Sequence, residues 1–321
     1  MKTNKLLVVL AIFFSPFLTT AQTLKEATEA YNAGATMFQD KMPEKALEQL
    51  YLAIELSEGL DVDGEETKRL AEDLLPKAHL QYAMNLYREK DMVKALEQLE
   101  KAKETAIKYY DKNTQGRVDR IIPQLYNQMG NNEYREENYE KAINYYNKAI
   151  EVKANYPDPY LGIALAHEKQ ESYEDMLSYL KKTIEVSNAA NDREKEESAV
   201  KKAKGYLLRK GDEAQKAKNF NESIGFFEKS LEFDNTDGAV YYVISANFAE
   251  LKNWDKVIEY ANLALENRTD AVDEAGVYYQ IGTAYQNQGD TVQACAAFNN
   301  ALSGTYRAAA EYQIKEVLKC N

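Results

Sequence analysis

Histidine and cysteine are scarce in this chain of 321 residues: two of each, His79, His167, Cys295 and Cys320. A Ser-His-Asp arrangement or a multi-histidine metal centre needs such groups in a cluster. No carboxylate cluster adjoins either histidine, and both fall at positions where other parts of the chain carry tyrosine. They are read as packing residues. There is no Cys-x-x-Cys, so thiol redox catalysis is not expected. Asp61-Val62-Asp63-Gly64-Glu65-Glu66 looks like a fragment of a calcium loop. A full loop spreads its ligands over about twelve residues and ends in a bidentate Glu. A solvated turn leading into an acidic helix start explains the segment better. The charge run Asp192–Glu197 reads as a wet helix face. Gly-rich phosphate loops, Gly-x-Ser-x-Gly and His-Glu-x-x-His are all missing. We therefore expect no catalytic residue, no cofactor and no metal.

The composition narrows the partners. Lys plus Arg total 40 against 52 Asp plus Glu, a net charge of −12. Such a surface repels phosphate backbones, so a nucleic-acid partner is not expected. Residues 1–21 have the order of a secretory signal peptide: Lys2 and Lys5, the apolar run Leu6–Phe14, the breaker Ser15-Pro16, then Thr19-Thr20-Ala21 before Gln22. The run is too short to cross a bilayer of about 30 Å as a helix. No cysteine follows it, so no lipoprotein acylation is expected, and Thr-Ala-Gln at the cut resembles leaders of the Bacteroidota. The mature chain would carry −14, would not span a membrane, and would be periplasmic or secreted.

The remainder is one template repeated seven times: a small residue, another twelve later, and another seven after that. Gly130, Ala142, Ala149 and Gly282, Ala294, Ala301 show it most clearly. Gly34, Ala46, Ala53 and Ala83, Ala95, Ala102 follow it. Ala164, Met176, Thr183, then Gly211, Ser223, Ser230, then Ser245, Val257, Ala264 are looser copies. Apolar residues recur at three and four on both sides of short polar turns such as Glu137-Asn138 and Lys218-Asn219. Two antiparallel helices approach closely only where side chains are small, and large aromatics then fill the flanking space. The 24 tyrosines find their use there.

The stretch Tyr126–Ile150 (YNQMGNNEYREENYEKAINYYNKAI) resembles the tetratricopeptide repeat (TPR) family, and the seven copies extend the resemblance over residues 25–321. Departures are the missing repeat-closing proline and the polar Glu133 and Lys210 at positions usually apolar. The resemblance implies an all-α superhelix (a TPR solenoid) of about seven helix-turn-helix repeats over 22–305, closed by a capping helix over 306–321. Successive anchors lie 49, 47, 34, 47, 34 and 37 residues apart. Three connections thus carry 13 to 15 extra residues, near 59–71, 105–119 and 189–203, expected as longer helices flanking wider loops. Pro76 and Pro123 predict a kink or a fresh helix start. In the capping helix Ala310, Ile314, Val317 and Leu318 form the apolar stripe. Reflection about the turn near 303–306 brings Cys295 within a helical turn of Cys320. A disulfide between them is one expectation, two free thiols the other.

In such a stack the first helix of each pair lines the concave side. The lining positions lie one residue beyond the packing positions. They are Tyr31, Ala35 and Phe38; Leu80, Met84, Tyr87 and Arg88; Asn127, Asn131, Tyr134 and Arg135; Leu161, Leu165 and Lys169; Leu208 and Asp212; and Tyr242, Ala246, Tyr279 and Thr283. Aromatic and aliphatic groups with a few amides and Arg suit a protein or peptide ligand. The resemblance implies an adaptor in envelope assembly, secretion or export. Family members that hold the acidic tails of heat-shock chaperones use Lys and Asn one helical turn apart. No repeat here has that pair, the nearest being Asn127 with Asn131. A glycan or small solute held by Tyr and Asn is the alternative, and self-association through the ends of the stack is a further partner class.

Overall fold

The computed structural model describes residues 16–269 and 272–320. The apolar run of the expected leader lies outside them. The described residues form helices and turns with no strand. Close packing divides the chain into two units, Met1–Ala154 and Asn155–Asn321. Unit 1 holds three antiparallel hairpins. They are α1 (Pro16–Gln39) with α2 (Pro43–Glu58), α3 (Glu65–Arg88) with α4 (Met92–Lys108), and α5 (Lys112–Arg135) with α6 (Tyr139–Val152). Unit 2 holds four. They are α7 (Pro157–Lys169) with α8 (Tyr173–Ala190), α9 (Arg193–Lys216) with α10 (Phe220–Leu231), α11 (Gly238–Glu250) with α12 (Trp254–Glu266), and α13 (Glu274–Gln288) with α14 (Thr291–Asn300). A short α15 (Arg307–Tyr312) follows. The all-α class and the seven hairpins agree with the repeat template.

The small residues sit where helices cross. A Cβ added to Gly130 would lie 2.6 Å from the ring of Tyr146, and one at Gly282 would lie 2.8 Å from Phe298. Gly211 stands in the same relation to Phe227, and Gly34 to Leu50. In each case the large side chain comes from the second helix, sixteen residues on. Where Ser replaces Ala, its hydroxyl is satisfied on backbone: Ser223 Oγ donates to Gly211 O and Ser245 Oγ to Val257 O.

The hairpin turns share one device. A residue in left-handed conformation follows each first helix: Lys41, Lys90, Glu137, Glu171, Lys218, Lys252 and Gly289. The next amide then reaches back to the helix, as Asn138 N does to Glu133 O and Asp290 N to Tyr285 O. Side-chain caps start several second helices, with Asp91, Asn253 and Asp290 accepting from the amides of Lys94, Lys256 and Gln293.

Three expectations are corrected. The extra residues near 105–119 and 189–203 make no wide loops: α4 and α5 are joined by 109–111, α8 and α9 by 191–192, and the insertions lengthen α3, α5 and α9 to 24 residues each. Pro76 and Pro123 start no new helix, because α3 and α5 run through them. The apolar stripe keeps its spacing across each proline. Leu75 and Ala78 share one cluster, and Val118, Ile122 and Leu125 another. That packing outweighs the roughly 3 kcal/mol an interior proline costs. In the cap, Ala310, Ile314 and Leu318 pack against Ala294, Phe298 and Ala301, but Val317 is exposed. A π turn over Gln313–Val317 inserts an extra residue into the last turn and rotates Val317 off the stripe.

Candidate functional site

α1, α3 and α5 are the first helices of their hairpins, and between them lies a cleft of about 460 Å³. Phe38 from α1 and Leu80 and Met84 from α3 give it an apolar lining. The amides Gln81 and Asn85 follow on α3, four residues apart on one face. Four cations complete it: Lys41 from the turn after α1, Lys77 and Arg88 from α3, and Arg117 from α5. No carboxylate lines it. Leu80 is anchored in the core cluster between α3, α4 and α5, with Met84 packed against it, so the apolar lining is held by buried helix packing.

The polar partners are local. Lys77 Nζ donates to the backbone carbonyl of Asp73 at 2.9 Å, and Arg88 Nη1 donates to Asn85 Oδ1 at 2.9 Å. Gln81 Oε1 is buried without a hydrogen-bond partner. Elsewhere in unit 1, Lys68, Arg69, Lys94, Lys101 and Lys103 each meet a carboxylate.

Phe38, Leu80, Met84 and Arg88 are thus brought to one cleft. The other expected lining residues are placed differently. Tyr31 packs onto the cluster of Ala30, Leu50 and Leu75. Tyr87 is exposed near the end of α3. On α5, Asn131 Oδ1 accepts from Tyr146 Oη at 2.9 Å, and burial pushes the Tyr146 phenol up to about 12. Tyr134 meets Tyr139 edge-on at 5.6 Å, Arg135 Nη1 donates to Asn132 Oδ1, and Asn127 Oδ1 is buried without a partner. In unit 2, Tyr242 Oη lies 3.3 Å from Tyr306 Oη, and Tyr279 packs between Phe298 and Tyr306 at 5.3 and 5.2 Å. Those two lining positions face the protein's own C-terminal segment. Gly276 permits it, since a Cβ there would meet Tyr242 Oη at 2.6 Å and the Tyr306 ring at 2.8 Å.

Lys41, Lys77, Gln81, Asn85 and Arg117 were missed in the sequence. Lys77, Gln81 and Asn85 fall four residues apart on α3, a visible spacing. Lys41 lies in a turn, and Arg117 is carried by the lengthened part of α5, where a 34-residue template has no position.

The chemistry-capable residues do not line this cleft. His79 is 2% exposed. Its Nδ1 donates to Gln98 Oε1 and its Nε2 accepts from Tyr51 Oη, each at 2.8 Å. Burial holds the imidazole below its ordinary pKa. His167 stacks on Tyr179 at 5.6 Å. Lys204 bridges Asp234 and Asp237, and its hydrogen bond draws the Asp234 carboxyl down to about 2. Cys295 and Cys320 form a disulfide with Cα atoms 5.8 Å apart. Asp61–Asp63 is a short 3-10 turn before α3. Among the described residues no three His, Cys, Asp or Glu side chains group as a metal set, and no helix is long and apolar enough to cross a membrane.

Comparison with known proteins agrees with the repeat template. A TPR repeat model matches residues 130–171, and a tetratricopeptide repeat model matches residues 275–303. The Hsp70-Hsp90 organising protein of Plasmodium falciparum is 28% identical over 112 residues, 34% of this chain and 20% of that protein. The chain thus spans about a fifth of that relative's length. Among solved structures, MamA aligns with a TM-score of 0.29 and 17% identity over 54% of this chain and 92% of its own. YrrB, described as a TPR protein with an unusual peptide-binding site, gives 0.29 and 15% over 56% and 84%. MamA of Desulfovibrio magneticus RS-1 gives 0.28 and 18% over 56% and 93%. The chain carries tetratricopeptide repeats.

Proposed function

We propose that this protein is an exported, non-catalytic scaffold that binds a protein or peptide partner in the groove of its first helices, in cell-envelope assembly or secretion. The cleft of unit 1 carries this reading. An apolar lining fixed by buried packing, edged by amides and cations, is the composition of a peptide-binding surface, in which a few anchors bury area and polar groups set register. The tetratricopeptide repeats support a protein-interaction role, and the related organising protein is named for Hsp70 and Hsp90. The leader pattern of residues 1–21 supports export.

Two experiments test it. Asn85→Trp fills the cleft while leaving the core face of α3 untouched. Proteins cross-linked to the wild type in an envelope extract should be lost with this variant, and equal recovery by both would reject the cleft as the binding surface. Mass spectrometry of the protein from its native cells should find Gln22 as the first residue. An intact Met1 terminus in the cytosol would overturn export.

A further inference from the structure

We infer that residues 303–320 are a lid on the groove side of α11 and α13, with Tyr306 as its plug and the Cys295–Cys320 disulfide holding it shut. The seat beneath Tyr306 is a binding site for an aromatic side chain of a partner, open in the reduced protein and closed in the oxidised one. It lies in unit 2 and is independent of the cleft in unit 1.

The seat is built for a ring. Tyr242 and Tyr279 belong to first helices and have the spacing of lining residues, yet the chain itself covers both. Tyr306 Oη lies 3.3 Å from Tyr242 Oη, and the Tyr306 ring centre is 5.2 Å from that of Tyr279. Gly276 makes the hollow. The three atoms nearest to a Cβ added there all belong to Tyr242 and Tyr306, the first at 2.6 Å. Glycine inside a helix is less favourable than alanine through backbone entropy, and here the space it leaves is taken by a phenol pair.

The lid is held loosely by everything except its disulfide. Of residues 302–320 only Ala310 is buried, and Ile314 and Leu318 rest on Phe298 while staying partly exposed. The segment consists of a 3-10 turn over Gly304–Tyr306, the six-residue α15 and the π turn. Helical pieces this short are not stable on their own. Gln313 Oε1 is buried without a hydrogen-bond partner, a desolvation penalty that is relieved when the segment lifts. Gly304 holds a φ of 52° with open space around it, a hinge at the start of the segment. A stretch with so few buried contacts opens far more readily than the hairpins beneath it. The disulfide opposes that opening. It closes a separation of 25 residues, which by the chain-entropy relation makes opening rarer by roughly a few hundredfold. Both cysteines of the chain serve this one bond.

A dithiol opens the lid. One thiolate attacks a sulfur of the bond and forms a mixed disulfide, and the second thiol displaces it. The dithiol leaves oxidised to a disulfide, and Cys295 and Cys320 each take up an electron and a proton.

The first test compares amide hydrogen exchange of the full chain, oxidised and after dithiothreitol. Reduction should speed exchange over 304–318 roughly a hundredfold and leave α12 and α14 unchanged. Equal exchange in both states overturns the disulfide as the fastening. Loss of protection in α14 together with the segment overturns the lid, because the segment would then be part of the last hairpin. The second test uses an end-blocked, fluorescein-labelled peptide of residues 301–309 and a twin with alanine in place of its tyrosine, read by anisotropy. The tyrosine peptide should bind the reduced chain at least tenfold more tightly than the oxidised one, and the twin should bind neither. Tyr306→Ala empties the seat with the disulfide intact, so this variant should bind the tyrosine peptide while oxidised. Binding by Tyr306→Ala without binding by the reduced wild type overturns reduction as the opening step. Binding by neither, or equal binding of the two peptides, overturns the aromatic seat. None of these outcomes touches the reading of the unit 1 cleft.

Discussion

The same substitution at two places on one helix should act with opposite sign. Gly116 and Gly130 both lie within α5. Glycine inside a helix is less favourable than alanine by about 0.8–1 kcal/mol, chiefly through backbone entropy. A Cβ at Gly116 would meet nothing within 4 Å, so Gly116→Ala keeps that gain whole. At Gly130 the new Cβ would lie 2.6 Å from two ring carbons of Tyr146 and 3.0 Å from a third. Ordinary contact begins near 3.4 Å, so ring or helix must shift by most of an ångström. The ring cannot simply swing away: it is 1% exposed, and its hydroxyl is tied to Asn131. Overpacking of this kind costs about 1–3 kcal/mol. Set against the propensity gain, Gly130→Ala should destabilise unit 1 by up to about 2 kcal/mol, while Gly116→Ala stabilises it by about 0.5–1 kcal/mol. Urea unfolding followed by helical circular dichroism reads both, and for a unit of this size the two variants should straddle the wild type by several degrees in Tm. A Gly130→Ala protein as stable as Gly116→Ala would refute small residues at the crossings as the basis of the repeat.

Three further outcomes are expected. His79 is held below its ordinary pKa by burial, so the unfolded chain takes up the proton first as pH falls; the stability that neutral His79 confers is present above about 6.5 and is lost as pH drops below that value. The fall in the urea midpoint between pH 7.5 and 5.5 should therefore shrink in His79→Gln, and an identical fall in both proteins would count against it. Reducing the Cys295–Cys320 bond, which closes a separation of 25 residues, should cost the C-terminal cap about 3.5 kcal/mol by the chain-entropy relation; trypsin should then cut at Arg307 and Lys315 only with reductant present, and alkylation of both thiols in the unreduced protein would rule the bond out. Lys218 holds a left-handed conformation with φ of 62°, so Lys218→Gly should stabilise unit 2 by about 0.5–1 kcal/mol, a gain that an unchanged urea midpoint would deny.

What was legible in the sequence is what a helix crossing demands locally. Gly130 with Tyr146 and Gly282 with Phe298 recur at one spacing because two helices can meet in one way only if the same small and large residues face each other. Interactions set by the third dimension were not legible. The prolines announce breaks, but Leu75, Ala78, Ile122 and Leu125 bury on both sides of them and hold α3 and α5 continuous. The π turn that exposes Val317 is a matter of hydrogen-bond register, with Leu318 N on Gln313 O and Cys320 N on Ile314 O, and no side-chain period marks it. Tyr242 and Tyr279 have the spacing of lining residues, yet Tyr306, 64 residues from Tyr242, packs against both.

The cleft shows why a summed property misleads about a site. A net charge of −12 counts every ionisable group once, wherever it stands. Screening confines a bound ligand to the charges within about 8–10 Å, and no carboxylate lines the cleft itself. Its cations are gathered by a turn after α1, one face of α3 and the lengthened start of α5. The insertion that broke the 34-residue period therefore does more than lengthen a helix: it carries Arg117 to the cleft. Its removal would leave the hairpin template intact and take away one of the four cations that line this cleft.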